Sequence, residues 1–168
     1  MASTEDVKRL RDLTGAGMLD CKKVLDEADG DLEKAQELLR KKGFEAQAKR
    51  ADRATGEGVI AHYIHHNQRL GALVEINCES DFVARTEDFR KLGQQIALQV
   101  AGANPLYISQ EEMTDGAEGD PKEVVLLLQP FVQDESRTIQ DLISETIGKT
   151  GENVRVRRFA RFELGRSP

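Results

Sequence analysis

Within twelve residues, Val74 to Arg85, the hydrophobic period of this chain changes from that of a strand to that of a helix. Leu73 and Val74 followed by Ile76 and Cys78 give the alternation of a half-buried strand. Ser80 or Asp81 can then accept from the free N–H groups of a first helical turn. Phe82 therefore stands at a strand-to-helix corner, held by regular structure on both sides. Two roles fit a large apolar residue there: a core Phe beside a helix cap, or a wedge that projects outward toward a partner. The pattern alone does not choose between them.

The chain before the corner is helical. Ser3 and Asp6 form a cap pair, followed by Val7, Leu10 and Leu13 at helical spacing. Thr14-Gly15-Ala16-Gly17 breaks that helix, and Met18, Leu19, Cys21, Val24 and Leu25 mark a second. Asp31 caps a third, carrying Leu32, Ala35, Leu38 and Leu39, with Gly43 expected just past its end. Met18 completes this small core or stands exposed for docking, and its spacing favours the core. Residues 44–55, rich in Ala, Lys and Arg, are expected to be a solvated helical linker into Gly56-Glu57-Gly58.

An α+β domain is expected over residues 56–168. Val59 to His65 and Leu70 to Cys78 are strands joined by a hairpin loop, His66-Asn67-Gln68-Arg69. Phe82, Phe89, Leu92, Ile96 and Val100 predict one long helix from Ser80 to about Gly102. Glu111 to Asp120 is expected to be an acidic surface link, Lys122 to Leu128 a short apolar helix or strand, and Phe131 and Val132 core contacts. Ile139, Leu142, Ile143 and Ile147 predict a final helix ended by Gly148 and Gly151. Val154 to Leu164 predicts a third strand. Val154, Val156, Ala160, Phe162 and Leu164 share one face, interrupted by Arg158, and Arg155, Arg157, Phe159 and Arg161 share the other.

Composition narrows the function. The formal net charge of -6 argues against bulk coating of nucleic acid or an anionic membrane, and leaves the arginine-bearing face a weak signal for nucleic acid. Cys21 and Cys78 suit neither a disulfide framework nor a four-ligand metal site, and a reducing compartment follows. Val124 to Leu128, the longest apolar run, is far short of the roughly 20 residues of a membrane helix. The stretch Met1 to Asp6 is acidic without an apolar core, so no secretory signal is expected and a cytoplasmic protein is. His62 and His65 fall on opposite faces of their strand, and with His66 offer no metal-ligand spacing. Phosphate loops, a nucleophile elbow, H-E-x-x-H and C-x-x-C are all missing. With no cofactor motif, a binding protein is favoured over an enzyme.

Three stretches together resemble the elongation factor Ts family: Leu10 to Lys23 with its T-G-A-G-M turn, Glu75 to Arg85 with its N-C-E-S-D-F-V-A run, and Gly151-Glu152-Asn153 leading into Arg157-Arg158-Phe159. The resemblance covers nearly the whole chain except about Met113 to Pro121. It implies a short form: a ubiquitin-associated-like three-helix domain over residues 1–43, the linker over 44–55, and one core and dimerisation module over 56–168. That module would hold an antiparallel three-stranded sheet packed with helices. The implied function is guanine nucleotide exchange on the translation GTPase elongation factor Tu, GDP-bound and nucleotide-free, with no cofactor and no catalytic chemistry of its own. Ser80, Asp81, Phe82 and Val83 match the element that enters the GTPase near its Mg²⁺ site, Ser80 standing where Thr is commoner. Arg11, Met18 and Leu19 match positions that grip the GTPase, with Lys22 beside them, and Thr150 and Gly151 match a turn beside the insertion edge. A homodimer through the core sheet is implied, with no direct nucleic acid and no membrane. An adaptor without exchange activity, or a small enzyme using scattered carboxylates, are the alternatives.

Overall fold

The computed structural model describes residues 3–166. Met1 and Ala2, which open the acidic N-terminal stretch, lie outside the described residues. The fold is α+β. Its elements in chain order are α1 (Thr4–Thr14), α2 (Met18–Glu27), α3 (Leu32–Arg50), β1 (Glu57–Ile64), β2 (Leu70–Cys78), α4 (Asp81–Ala84) and α5 (Glu87–Ala103). There follow α6 (Pro121–Val124), β3 (Pro130–Phe131), β4 (Asp134–Thr138), α7 (Ile139–Thr150) and β5 (Arg155–Glu163). They form two compact units, one of residues up to Arg53 with Ser144–Asn153, the other of Ala54–Ile143 with Val154 onward.

The first unit is a helical bundle whose ends are set by local chemistry. The Ser3 hydroxyl accepts from the Asp6 N–H at 3.1 Å and donates to its carboxylate at 2.6 Å, opening α1. Asp29 and Gly30 take positive φ between α2 and α3, and the Asp31 carboxylate accepts from the N–H groups of Glu33 and Lys34. Val7, Leu10, Cys21, Val24, Leu25 and Ala35 are the buried core. Gly43 does not end the third helix, which continues to Arg50. A Cβ on Gly43 would make only ordinary contact, 3.5 Å from the Ser144 Cβ. Beyond Arg50, the Asn153 amide donates to the carbonyls of Ala51 and Arg53.

In the second unit β1, β2 and β5 form an antiparallel sheet in the order β1-β2-β5. The β1–β2 hairpin closes where its loop was expected, with Gln68 at φ 58° and the Asn67 side chain accepting from the Arg69 N–H. Helix α5 covers one sheet face with Phe89, Leu92, Ile96, Ala97 and Val100, all buried as are Ala61, Ala72, Val74 and Ile76 of the strands. Burying each large side chain of this kind is worth about 1.5–3 kcal/mol. A Cβ on Gly93 would come within 3.0 Å of the Ala61 Cβ, so glycine sets how closely helix and sheet approach.

Two further expectations are corrected here. Val132 is exposed while Phe131 is buried, because β3 and β4 form a two-stranded ribbon that turns Val132 outward. The fully buried Gln99 fixes that ribbon: its amide donates to Gln129 Oε1 and the Pro130 carbonyl, and its oxygen accepts from the Val132 N–H. In β5 the two faces exchange partway along. A bulge sets Glu75 opposite Arg158 and Ile76 opposite Val156, leaving Arg157 as the extra residue. Past it Phe159 and Arg161 turn toward α5, while Ala160 and Phe162 face outward and are exposed. The inward Arg161 side chain donates to the Ala101 carbonyl at 3.0 Å, in the last turn of α5.

Candidate functional site

The corner at the end of β2 is built by hydrogen bonds local to it. Cys78 is buried and its thiol donates to the Ser80 carbonyl at 3.2 Å. Ser80, extended at φ -124° and ψ 153°, caps α4 by accepting from the Val83 N–H at 3.3 Å. The helix lasts four residues. The expected helix from Ser80 to Gly102 is thus two helices, because Thr86 at ψ 149° starts a new one. Its hydroxyl donates to the Val83 carbonyl at 2.7 Å and accepts from the Phe89 N–H at 3.3 Å, ending α4 and capping α5 together. Thr-Glu-Asp-Phe at residues 86–89 carried the signal, a capping residue with acidic residues in the first turn.

Burial divides α4 sharply. Val83 and Ala84 are buried beneath it, while Asp81 and Phe82 point away from the unit. Phe82 is 76% exposed, so it is not a core residue and its ring projects outward. Asp81 forms an ion pair with Arg85 at 2.9 Å, with both side chains largely in solvent. Four of the expected residues, Ser80, Asp81, Phe82 and Val83, thus make one feature: a capped turn showing a carboxylate and a phenyl ring on one side.

In the helical unit the glycine turn presents a second apolar surface. Gly15 takes φ 67° and donates to the Arg11 carbonyl at 2.7 Å, while Thr14 bonds back to Leu10 and accepts from the Ala16 N–H. A Cβ on Gly15 would fall 2.6 Å from the Lys149 side chain, which lies across the turn. Beneath it the Cys21 thiol faces the Ala16 carbonyl at 3.7 Å, and burial pushes that thiol above its ordinary value of 9.0. Met18 is exposed, not in the core as its spacing favoured, and Leu19 is 74% exposed beside it. Leu13 joins them, a third exposed apolar side chain that the sequence had placed in the helix stripe. Arg11 and Lys22 are exposed on the same two helices.

Thr150 and Gly151 end α7 within this unit. The Thr150 hydroxyl donates to the Thr146 carbonyl and accepts from the Glu152 N–H, and Gly151 takes φ 72°. The Arg50 guanidinium donates to the Gly151 carbonyl at 3.0 Å. The arginines of β5 do not form one face. Arg157 and Arg158 meet the Glu75 carboxylate at 3.4 and 2.7 Å, Arg155 donates to the Thr55 hydroxyl, and Arg161 is inward. The Tyr63 hydroxyl bonds His65 Nδ1 at 2.9 Å. Among the described residues no three His, Cys, Asp or Glu side chains gather as a metal-ligand set, and no helix is long and apolar enough to cross a membrane.

The family model described as Elongation factor TS matches residues 16–118. The chain is similar to curated proteins named Elongation factor Ts. That of Moorella thermoacetica is 47% identical over 195 aligned positions, covering 98% of this chain and 96% of the relative. That of Carboxydothermus hydrogenoformans is 45% identical, covering 98% and 90%, and that of Thermosipho melanesiensis 44% identical, covering 98% and 100%. Alignments of 195 positions against a chain of 168 residues leave at least 27 positions where this chain has no residue.

Proposed function

The chain belongs to the elongation factor Ts family, and from that premise we propose that it is a guanine nucleotide exchange factor for elongation factor Tu, driving GDP release with Asp81 and Phe82. The observation that carries this is the exposure of Phe82 on a turn capped by Ser80 and seated on the buried Val83 and Ala84. Aromatic side chains are enriched at the cores of protein interfaces, where a few well-packed anchors carry most of the binding energy.

A GTPase holds its nucleotide through phosphate contacts and Mg²⁺. A factor that weakens that hold must make contacts incompatible with it, and by linkage nucleotide and factor weaken each other's binding. Burying one Phe supplies about 1.5–3 kcal/mol, on the order of 10- to 100-fold. One wedge is too little to release a tightly held nucleotide, so a second surface must hold the factor in place. Met18 and Leu19, with Arg11 and Lys22 around them, supply it, their apolar side chains exposed at the glycine turn. In this scheme Ser80 and Val83 fix the wedge from either end of its turn, and the Thr150–Gly151 turn adds a lesser contact. The protein performs no bond chemistry of its own. Its cellular place is the cytoplasm, with the translation GTPase, and it acts as a homodimer without touching nucleic acid.

Release of a fluorescent GDP analogue from elongation factor Tu tests this. The native chain should accelerate release, and Phe82→Ala should lose at least about tenfold of the effect, given what one buried Phe is worth. Binding to the GTPase with no acceleration by the native chain would leave the adaptor reading instead. Full acceleration by Phe82→Ala would remove the wedge.

A further inference from the structure

We propose that Thr86 is the positioning residue that aims Asp81 and Phe82, acting through the Val83 carbonyl; the proposal rests on the exchange reading above. Helix α4 is a single turn, too short to hold its own direction by cooperative hydrogen bonding. Its front end is fixed to β2 through Cys78 and Ser80. Its underside is fixed by the buried Val83 and Ala84. What remains is its rear, where the chain must leave one helix and enter another at an angle.

The Arg85 N–H closes the turn on the carbonyls of Asp81 and Phe82, and Thr86 joins it to the next helix. The Thr86 N–H and hydroxyl both donate to the Val83 carbonyl, at 3.0 and 2.7 Å, so one residue occupies both lone pairs of that oxygen. The same hydroxyl oxygen accepts from Phe89, a fully buried residue of α5. One oxygen therefore ties the wedge turn to the helix anchored across the sheet. Phe82 precedes Val83 by one residue, so rotation of the Val83 peptide moves the phenyl ring and the Asp81 carboxylate together. Neither Thr86 nor its hydroxyl needs to touch a partner for this. A misplacement of about 1 Å caused away from the contact can cost up to about 100-fold in rate.

The variant that isolates the hydroxyl is Thr86→Val, which keeps the β-branched shape and suits the extended backbone at φ -66° and ψ 149°. Release of the fluorescent GDP analogue would be followed over a range of factor concentrations to separate the plateau rate from the half-saturating concentration. For Thr86→Val the plateau should fall about tenfold or more, with the half-saturating concentration changed by less than about threefold, because the grip of the helical unit is unaltered. Thr86→Ser, which restores both hydrogen bonds, should recover most of the plateau. Phe82→Ala in the same assay separates this inference from the reading beneath it. If Phe82→Ala abolishes acceleration while Thr86→Val keeps it, Thr86 does not aim the wedge and the exchange reading stands. If Thr86→Val lowers the plateau and thermal stability together and Thr86→Ser recovers neither, the residue is merely structural. If the native chain accelerates nothing, the exchange reading fails and this inference falls with it.

Discussion

Glu75 shows how one residue on the outer sheet face gathers charge that the sequence scatters. Its carboxylate takes the Arg158 guanidinium at 2.7 Å, the Arg157 guanidinium at 3.4 Å and the Asn77 amide at 3.3 Å. The hydrogen bond from Arg158 holds the carboxyl below its ordinary value of 4.5, against the opposing pull of partial burial. A carboxylate depressed in the folded state contributes stability that is fully present above its unfolded value. That contribution is lost as pH falls through the folded value. Glu75→Gln should therefore melt at a lower temperature than the native chain near neutral pH. The two melting curves should converge as pH is lowered from about 6 to about 3. Melting temperatures displaced by a constant amount across that range would show that Glu75 is not a stabilising titrating group.

At the scale of elements, the bulge in β5 decides which side chains meet the core. Because side chains alternate with period two, one extra residue sends everything after it to the other face. Deleting Arg157 would remove the extra residue and leave Val156 opposite Ile76 and Arg158 opposite Glu75 in an unbroken ladder. Phe159 and Arg161 would stay inward, the Arg161 bond to the last turn of α5 would be kept, and the exposed Arg157 contact with Glu75 would be lost. We expect a change of less than about 1 kcal/mol, in the range of changes away from the core, measured by urea denaturation. A loss of several kcal/mol would mean that the bulge itself, and not only the faces it sets, holds the strand. The sequence did hold a trace of the bulge, in Arg158 interrupting the apolar face. What local patterns determine was legible: the caps at Ser3, Asp31 and Ser80, the hairpin at His66–Arg69, and the third strand itself. What depends on distant partners was not. The Phe82–Phe89 spacing imitates a continuous helix, and only the two bonds of Thr86 break it. Met18 has core spacing, yet the bundle closes on Leu10, Cys21 and Leu25 without it. Gln99 lies on the apolar stripe of α5 and is buried only because Gln129, Pro130 and Val132 come to meet it. Phe82 was recognisable as a corner residue, while its outward direction required the burial of Val83 and Ala84 to be known.

At the scale of the whole molecule, the three-stranded sheet has one face covered by α5 and another that carries Ile60, Ile64, Leu73 and Phe162 in solvent. These side chains are neighbours by register: Ile64 and Phe162 flank Gly71, and Leu73 lies opposite His62 and Ala160. Ile64 reaches over Gly71, where a Cβ would meet its side chain at 2.6 Å, so glycine there lets the apolar surface close into one patch. Monomers rarely leave contiguous apolar surface of this kind in water, whereas the centre of a subunit interface is built from it. The proposed homodimer accounts for it, with the patch of one copy against that of another about a two-fold axis. Light scattering on the native chain at micromolar concentration should give twice the mass of one chain. Phe162→Asp should give the monomer mass with a far-ultraviolet spectrum unchanged, since Phe162 is 68% exposed within one chain and supports no core of its own. Dissociation would follow because a carboxylate at the centre of an apolar contact cannot be buried unpaired, and two-fold symmetry would bring in two of them. A native chain of single mass would remove the dimer altogether. A Phe162→Asp variant that stays double would move the interface off this sheet face and leave the patch unexplained.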